Sequence, residues 1–188
     1  MDFFDVIHTQ RSVRRYKPDS VPDEALWKIL DAAVRAPSGS NLQPWIWLVV
    51  RDRGKRESIA SAVRASFQAR GGGVEQIRQR AERDTDPMRR RMMLTVADFF
   101  ADVSQAPVLI IPCLVGVTSP TTDARSLLAG SSIYGAVQNM MLAARALGLG
   151  TVLTTFQAGI EDFFRREFHL PPESVPVAVV PVGYPDRQ

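Results

Sequence analysis

The chain has 188 residues, 45% of them hydrophobic and 23% charged, a balance that excludes disordered, fibrous and low-complexity classes. Its 23 Lys and Arg against 20 Asp and Glu leave a formal charge of +3, too weak a surplus to point to nucleic acid. The lone cysteine, Cys113, excludes an intrachain disulfide and a thiolate metal cluster, and the two histidines, His8 and His169, lack metal-ligand spacing.

In chain order, residues 2–10 predict a short helix with Phe3, Val6 and Ile7 on one face. The acidic start, Met1-Asp2-Phe3-Phe4-Asp5, is unlike a signal peptide, so a soluble cytoplasmic protein is expected. A basic segment, Arg11 to Lys17, is closed by Pro18. Pro22 and Asp23 open a second helix with Ala25, Leu26, Ile29, Leu30 and Ala33 as its apolar stripe, ended by Pro37. A polar loop between Pro37 and Pro44 leads into Trp45-Ile46-Trp47-Leu48-Val49-Val50, which predicts a buried strand. Residues 55–69 read as helix and Gly71-Gly72-Gly73 as a break. Residues 74–104 read as charged helix interrupted near Asp86-Pro87. A strand over 107–117 precedes the longest helix, 123–147, with Gly148 as its C-cap. The stretch 127–149 is apolar but carries Ser131, Ser132, Gln138, Asn139 and Arg145, so it reads as a buried helix and not a membrane span. A strand over 151–156, a helix over 160–168 and a strand over 175–182 complete an α+β pattern of one domain, 1–188.

Three segments carry candidate chemistry. Arg11-Ser12-Val13-Arg14-Arg15 suits a phosphate ester, which guanidinium groups and a hydroxyl bind together; a solvated basic patch at a helix end is the plainer alternative. The loop Ser38-Gly39-Ser40-Asn41-Leu42-Gln43 offers donors and acceptors suited to a flat heteroaromatic ring, or is an ordinary connector. Thr154-Thr155-Phe156-Gln157 ends a strand, where ligands often meet backbone N–H groups; a routine strand-to-helix turn is the plainer alternative. Arg89-Arg90-Arg91 reads as a solvated helix face, with a place near an anionic cosubstrate as the alternative, and Cys113 as an inert core thiol. The dinucleotide, P-loop and hydrolase-elbow motifs are missing.

Taken in order, four stretches resemble the nitroreductase-like family of FMN-dependent oxidoreductases. They are Arg11 to Tyr16 followed by Val21-Pro22-Asp23-Glu24; Ala36 to Trp45; the helix Tyr134 to Leu149 followed by Gly150-Thr151; and Val179 to Asp186. The resemblance implies a three-layer α+β fold, a mostly antiparallel sheet flanked by helices, with the long helix at a homodimer interface. It also implies two FMN sites per dimer and NADH or NADPH as cosubstrate. Arg11, Ser12 and Arg14 of one subunit would hold the flavin phosphate and pyrimidine edge. Pro37, Ser38, Gly39, Ser40, Asn41 and Gln43 would approach from the other, and Leu153, Thr154 and Thr155 would lie against the ring near N5. Where relatives continue with a basic segment, this sequence ends at Arg187-Gln188; either Arg187 substitutes for that group or phosphate affinity is reduced. Residues 71–104 would cover the site and set substrate choice. The implied activity is ping-pong hydride transfer to an electron-poor nitroaromatic or quinone. Dehalogenation, flavin fragmentation and dehydrogenation are the alternatives on the same fold. Nucleic acid and membrane are not expected partners.

Overall fold

The computed structural model describes residues 1–69, 72–116 and 124–186, with the backbone alone over 124–129. The helices are α1 (Phe3–Thr9), α2 (Asp23–Val34), α3 (Arg53–Ala69), α4 (Val74–Arg83), α5 (Pro87–Ala101), α6 (Ala124–Ala146) and α7 (Glu161–Glu167). The strands are β1 (Trp45–Val50), β2 (Val108–Val115), β3 (Gly150–Thr151), β4 (Ser174–Pro176) and β5 (Val180–Gly183).

Alternation along β2 creates the layers. Val108, Ile110 and Leu114 point to one face and pack with Ile29 of α2 and Ile133, Val137 and Met140 of α6. Leu109, Ile111 and Cys113 point to the other, against Ile59 and Val63 of α3, Phe99 of α5 and Phe164 of α7. A strand covered on both faces needs apolar side chains at successive positions, which is why Val108 to Leu114 is an unbroken apolar run. The sheet has five strands in the order β1-β2-β5-β3, with β4 also on β2, and its ladders are antiparallel. Among the described residues, no helix is long and apolar enough to cross a membrane.

Local chemistry sets the helix ends. The Asp86 carboxylate accepts from the Met88 and Arg89 N–H groups at 2.8 and 3.4 Å, and Pro87 occupies the first turn, so the charged stretch breaks into α4 and α5 there. At the end of α6, the Gly148 N–H bonds the Arg145 carbonyl at 3.0 Å and the Leu149 N–H bonds Ala144 at 2.9 Å. This paired closure requires the left-handed φ of +78° that Gly148 adopts.

The structure differs from the sequence expectation in four places. The expected strand over 175–182 is two strands. Cys113 pairs with Pro176 but Ile110 with Val180, so three residues on one side oppose two on the other. This bulge turns the Val179 backbone outward, where it exchanges both hydrogen bonds with Thr154 at 3.0 and 3.1 Å. The expected strand over 151–156 is correspondingly short: β3 stops at Thr151, and Thr154 makes only that bridge. In α1 only Val6 is buried, while Phe3 and Ile7 face solvent, because no element among the described residues covers that side. In α6 one stripe is buried and the opposite side exposes Tyr134, Gly135 and Gln138, so the helix is two-sided in the single chain.

Two tests arise from the fold. Burial pushes the Cys113 thiol up to about 12, and the side chain is fully inaccessible. Native protein at pH 8 should therefore leave thiol reagents unreacted until denaturant is added; rapid native labelling would contradict the packing. Asp102 stands just before a short turn, Val103–Gln105. Burial pushes its carboxyl up, but the Ser104 hydroxyl, the Gln105 amide at 2.7 Å, the Ser104 N–H at 3.1 Å and the Arg64 charge outweigh that and hold it below its ordinary value. A carboxyl lowered by folding stabilises above the unfolded-chain value, near pH 4, and that contribution disappears as pH falls below it. Asp102→Asn should thus lower the melting temperature at pH 7 and narrow the gap to wild type at about pH 3. An acid profile parallel to wild type would rule this contribution out.

Candidate functional site

The basic segment is held against the end of the sheet by its backbone. The Val13 N–H donates to the Thr151 carbonyl at 2.9 Å, Lys17 N–H to Tyr184 at 2.9 Å, and Asp186 N–H to Arg15 at 3.0 Å. Ser12 forms a parallel bridge with Thr151, the one parallel pairing among the described residues. Two glycines permit this approach. A Cβ on Gly150 would lie 2.7 Å from Val13 Cβ, and one on Gly183 would lie 2.6 Å from the Pro107 ring. Tyr16 pins the segment inward, its hydroxyl donating to the Val13 carbonyl at 2.5 Å, and burial pushes its phenol above the ordinary value.

With its backbone fixed, the segment turns its arginines outward. Arg15 meets Asp98 of α5 at 3.6 Å, a carboxylate it shares with Arg78 at 2.8 Å. Arg14 has neither a carboxylate nor a carbonyl partner among the described residues. A cleft of about 340 Å³ is bounded by Arg11, Ser12, Arg14, Arg91, Arg145 and Asp186, the last being its lone carboxylate among the described residues. Arg14 also borders a second cleft of about 390 Å³, walled by Phe67, Phe100, Leu153, Thr155 and Phe156. Residues 152–156 alternate there. Leu153 and Thr155 are exposed toward the cleft, whereas Val152, Thr154 and Phe156 are buried. The Thr155 N–H has no acceptor among the described residues. A guanidinium thus stands between a cationic cleft and an aromatic-walled one bearing a spare backbone donor.

The loop 38–43 is built differently. Ser40, Asn41 and Gln43 all have left-handed φ, +51°, +55° and +48°. This backbone is costly for non-glycine residues, and for Gln43 it directly precedes Pro44. It is held by the Ser38 hydroxyl accepting the Gln43 N–H at 2.9 Å, by the Asn41 side chain accepting from the Gln43 amide at 3.1 Å, and by Ser132 of α6 accepting the Gly39 N–H at 3.1 Å. Ser40, Asn41 and Gln43 are exposed, and Leu42 is 74% exposed.

Comparison with known proteins places this arrangement. The Nitroreductase family model matches residues 7–184. The chain belongs to the nitroreductase family. It is 34% identical to an NADH dehydrogenase/NAD(P)H nitroreductase of Methanothermobacter thermautotrophicus, over 98% of this chain and 78% of that protein. It is also 29% identical to an iodotyrosine deiodinase of Thermotoga neapolitana, over 97% and 88%. A nitroreductase of Bacteroides fragilis solved with bound FMN shares the fold at 22% identity, TM-score 0.70, over 99% of this chain and 89% of that one. The three-layer, mostly antiparallel expectation is borne out by this nitroreductase fold.

Of the residues singled out from sequence, the structure brings Arg11, Ser12 and Arg14 to one cleft and Arg14, Leu153, Thr154 and Thr155 to its neighbour. Thr154 is buried and its hydroxyl is spent on the Val179 carbonyl at 2.6 Å, so its side chain serves the bulge; Leu153 and Thr155 face outward. Pro37, Ser38, Gly39, Ser40, Asn41 and Gln43 border neither cleft of the same chain. Arg187 lies outside the described residues. Sequence reasoning missed Arg145, weighed only as an interruption of an apolar helix, and ranked a solvated face for Arg91 ahead of a place near an anionic cosubstrate. A polar residue in the last turn before Gly148 was the available signal for the first.

Proposed function

We propose that this nitroreductase-family chain is an NAD(P)H-dependent FMN oxidoreductase that acts as a homodimer. Bound FMN would supply the redox chemistry, accepting hydride at N5 from NAD(P)H and passing reducing equivalents to an electron-poor nitroaromatic or quinone. The observation that carries this is Arg14, unpaired among the described residues and common to both clefts. The donor set fits the cofactor. Arginines facing, among the described residues, one carboxylate suit a phosphate monoester, and an aromatic-walled slot with a spare N–H suits a flat ring bearing a nitrogen acceptor.

In this scheme Arg11 and Ser12 bind the phosphate, Arg14 lies at the pyrimidine edge, and the Thr155 N–H orients N5. Phe67, Phe100 and Phe156 exclude water from the reacting face, and the α4–α5 pair caps the site and sets acceptor choice. The loop Pro37 to Gln43, exposed and strained, reaches the partner's flavin. The exposed Phe3, Ile7 and Tyr134 are covered in the dimer.

A second scheme keeps the cofactor and replaces the acceptor with a halogenated aromatic, which the likeness to an iodotyrosine deiodinase favours. The purified protein should be yellow, should run as a dimer, and should melt higher as FMN is added. Dithionite-reduced holoprotein mixed with nitroaromatic, quinone and haloaromatic acceptors identifies which one reoxidises it. A colourless monomer that takes up no FMN defeats the proposal.

A further inference from the structure

We infer that Arg91 and Arg145 are two further ligands of a phosphate monoester in the cationic cleft, and that this phosphate ties helix α5 to the end of α6. The inference rests on the flavin proposal for the ligand's source, but its basis is how these two side chains are held.

Arg145 is already aimed. Its Nε donates to the Thr9 hydroxyl at 3.0 Å, and that hydroxyl donates in turn to the Asp5 carbonyl at 2.5 Å. One edge of the guanidinium is therefore fixed, while its two terminal nitrogens have no acceptor among the described residues. Arg91 is set apart from its neighbours in the same way. Arg89 meets Asp84 and Asp86 at 3.3 and 3.5 Å, and Arg90 donates to the Asp84 carbonyl at 2.8 Å, so both are spent on the turn between α4 and α5. Arg91 has no such partner among the described residues and borders the cleft instead. Arg91 and Asp98 are seven residues apart on α5 and so share a face, and Asp98 already holds Arg15 at 3.6 Å. The face of α5 turned to the basic segment thus carries one completed ion pair and one unpaired cation.

Charge completes the case. Among the described residues, Arg11, Arg14, Arg91 and Arg145 border one cleft with Asp186 as its lone carboxylate, a surplus of positive charge that favours entry of an anion. A phosphate monoester carries about −1.5 to −2 at neutral pH and offers several acceptor oxygens, enough to engage guanidinium groups from three elements at once. Both the FMN 5′-phosphate and the NADPH 2′-phosphate have this chemistry.

The test uses the full chain and compares FMN with riboflavin, which lacks the phosphate, and NADPH with NADH. For Arg145→Ala we expect FMN affinity to fall by about ten- to a hundredfold with riboflavin affinity unchanged, and for Arg91→Ala a smaller loss of the same kind. Arg145→Lys should recover part of it. In wild type, FMN but not riboflavin should slow amide exchange in α5, and Arg91→Ala should abolish that slowing. A loss confined to NADPH relative to NADH also supports the phosphate site and assigns it to the 2′-phosphate. Equal losses for FMN and riboflavin, or no change for either pair, overturn the inference while leaving flavin binding intact. A wild-type protein that binds neither flavin overturns the flavin proposal itself.

Discussion

Gly150→Val should abolish tight FMN binding and lower the melting temperature by about 2–10 °C, the range set by an overpacking cost of about 1–3 kcal/mol in a chain of this size. The cause is one contact. An added Cβ at position 150 would sit 2.7 Å from Val13 Cβ and both its methyl carbons. Val13 Cβ is bonded to the backbone and cannot swing aside, so the segment must lift. Lifting it breaks the Val13 N–H to Thr151 bond and the Ser12 bridge to Thr151, which set the outward direction of Ser12 and Arg14. Calorimetry and flavin titration of the same variant separate the two effects. Unchanged flavin affinity would show that the backbone of 12–14 does not position the site.

Arg14→Ala should weaken FMN binding by about 1.5–3 kcal/mol, roughly ten- to 150-fold, if its charged hydrogen bond to the flavin is of ordinary strength. Arg14 has no competing carboxylate among the described residues, so the whole of its bonding capacity is available to a ligand. Reduction places negative charge at the N1–C2=O2 edge of a flavin, so a guanidinium there favours the reduced form. The midpoint potential of Arg14→Ala holoprotein should therefore become more negative, and Arg14→Lys should restore most of the potential but less of the affinity. Equilibrium reduction against a reference dye measures both. A purely structural role would lower affinity and leave the potential where it was.

Much of this site was legible in the chain because its signals are local. Arg11, Ser12 and Arg14 are close in sequence, so the composition that suits a phosphate survives folding, whereas Leu153 and Thr155 were marked by the resemblance to nitroreductases and not by spacing. The break at Asp86-Pro87 and the closure at Gly148 were equally readable, since each rests on hydrogen bonds within a few residues. Arg91 and Arg145 were not, because nothing local distinguishes a cleft-lining arginine from a solvated one. Arg89 and Arg90 turn away through Asp84 and Asp86, and only the packed position of α5 leaves Arg91 at the cleft. The bulge was hidden for a similar reason. A continuous apolar run over 175–182 carries no mark of where its pairing with β2 slips by one residue.

Amino-acid order alone determined the helices, the strands β1 and β2 and the basic segment, since periodicity, capping and composition act over a few residues. Tertiary structure decided that Thr154 serves the sheet while Leu153 and Thr155 face the cleft, and that arginines from three distant elements border one space. The physical reason is range. Hydrogen bonds along a helix or turn are encoded by neighbours, whereas the direction of a side chain into a cavity depends on contacts such as Gly150 against Val13, made between segments far apart in the chain.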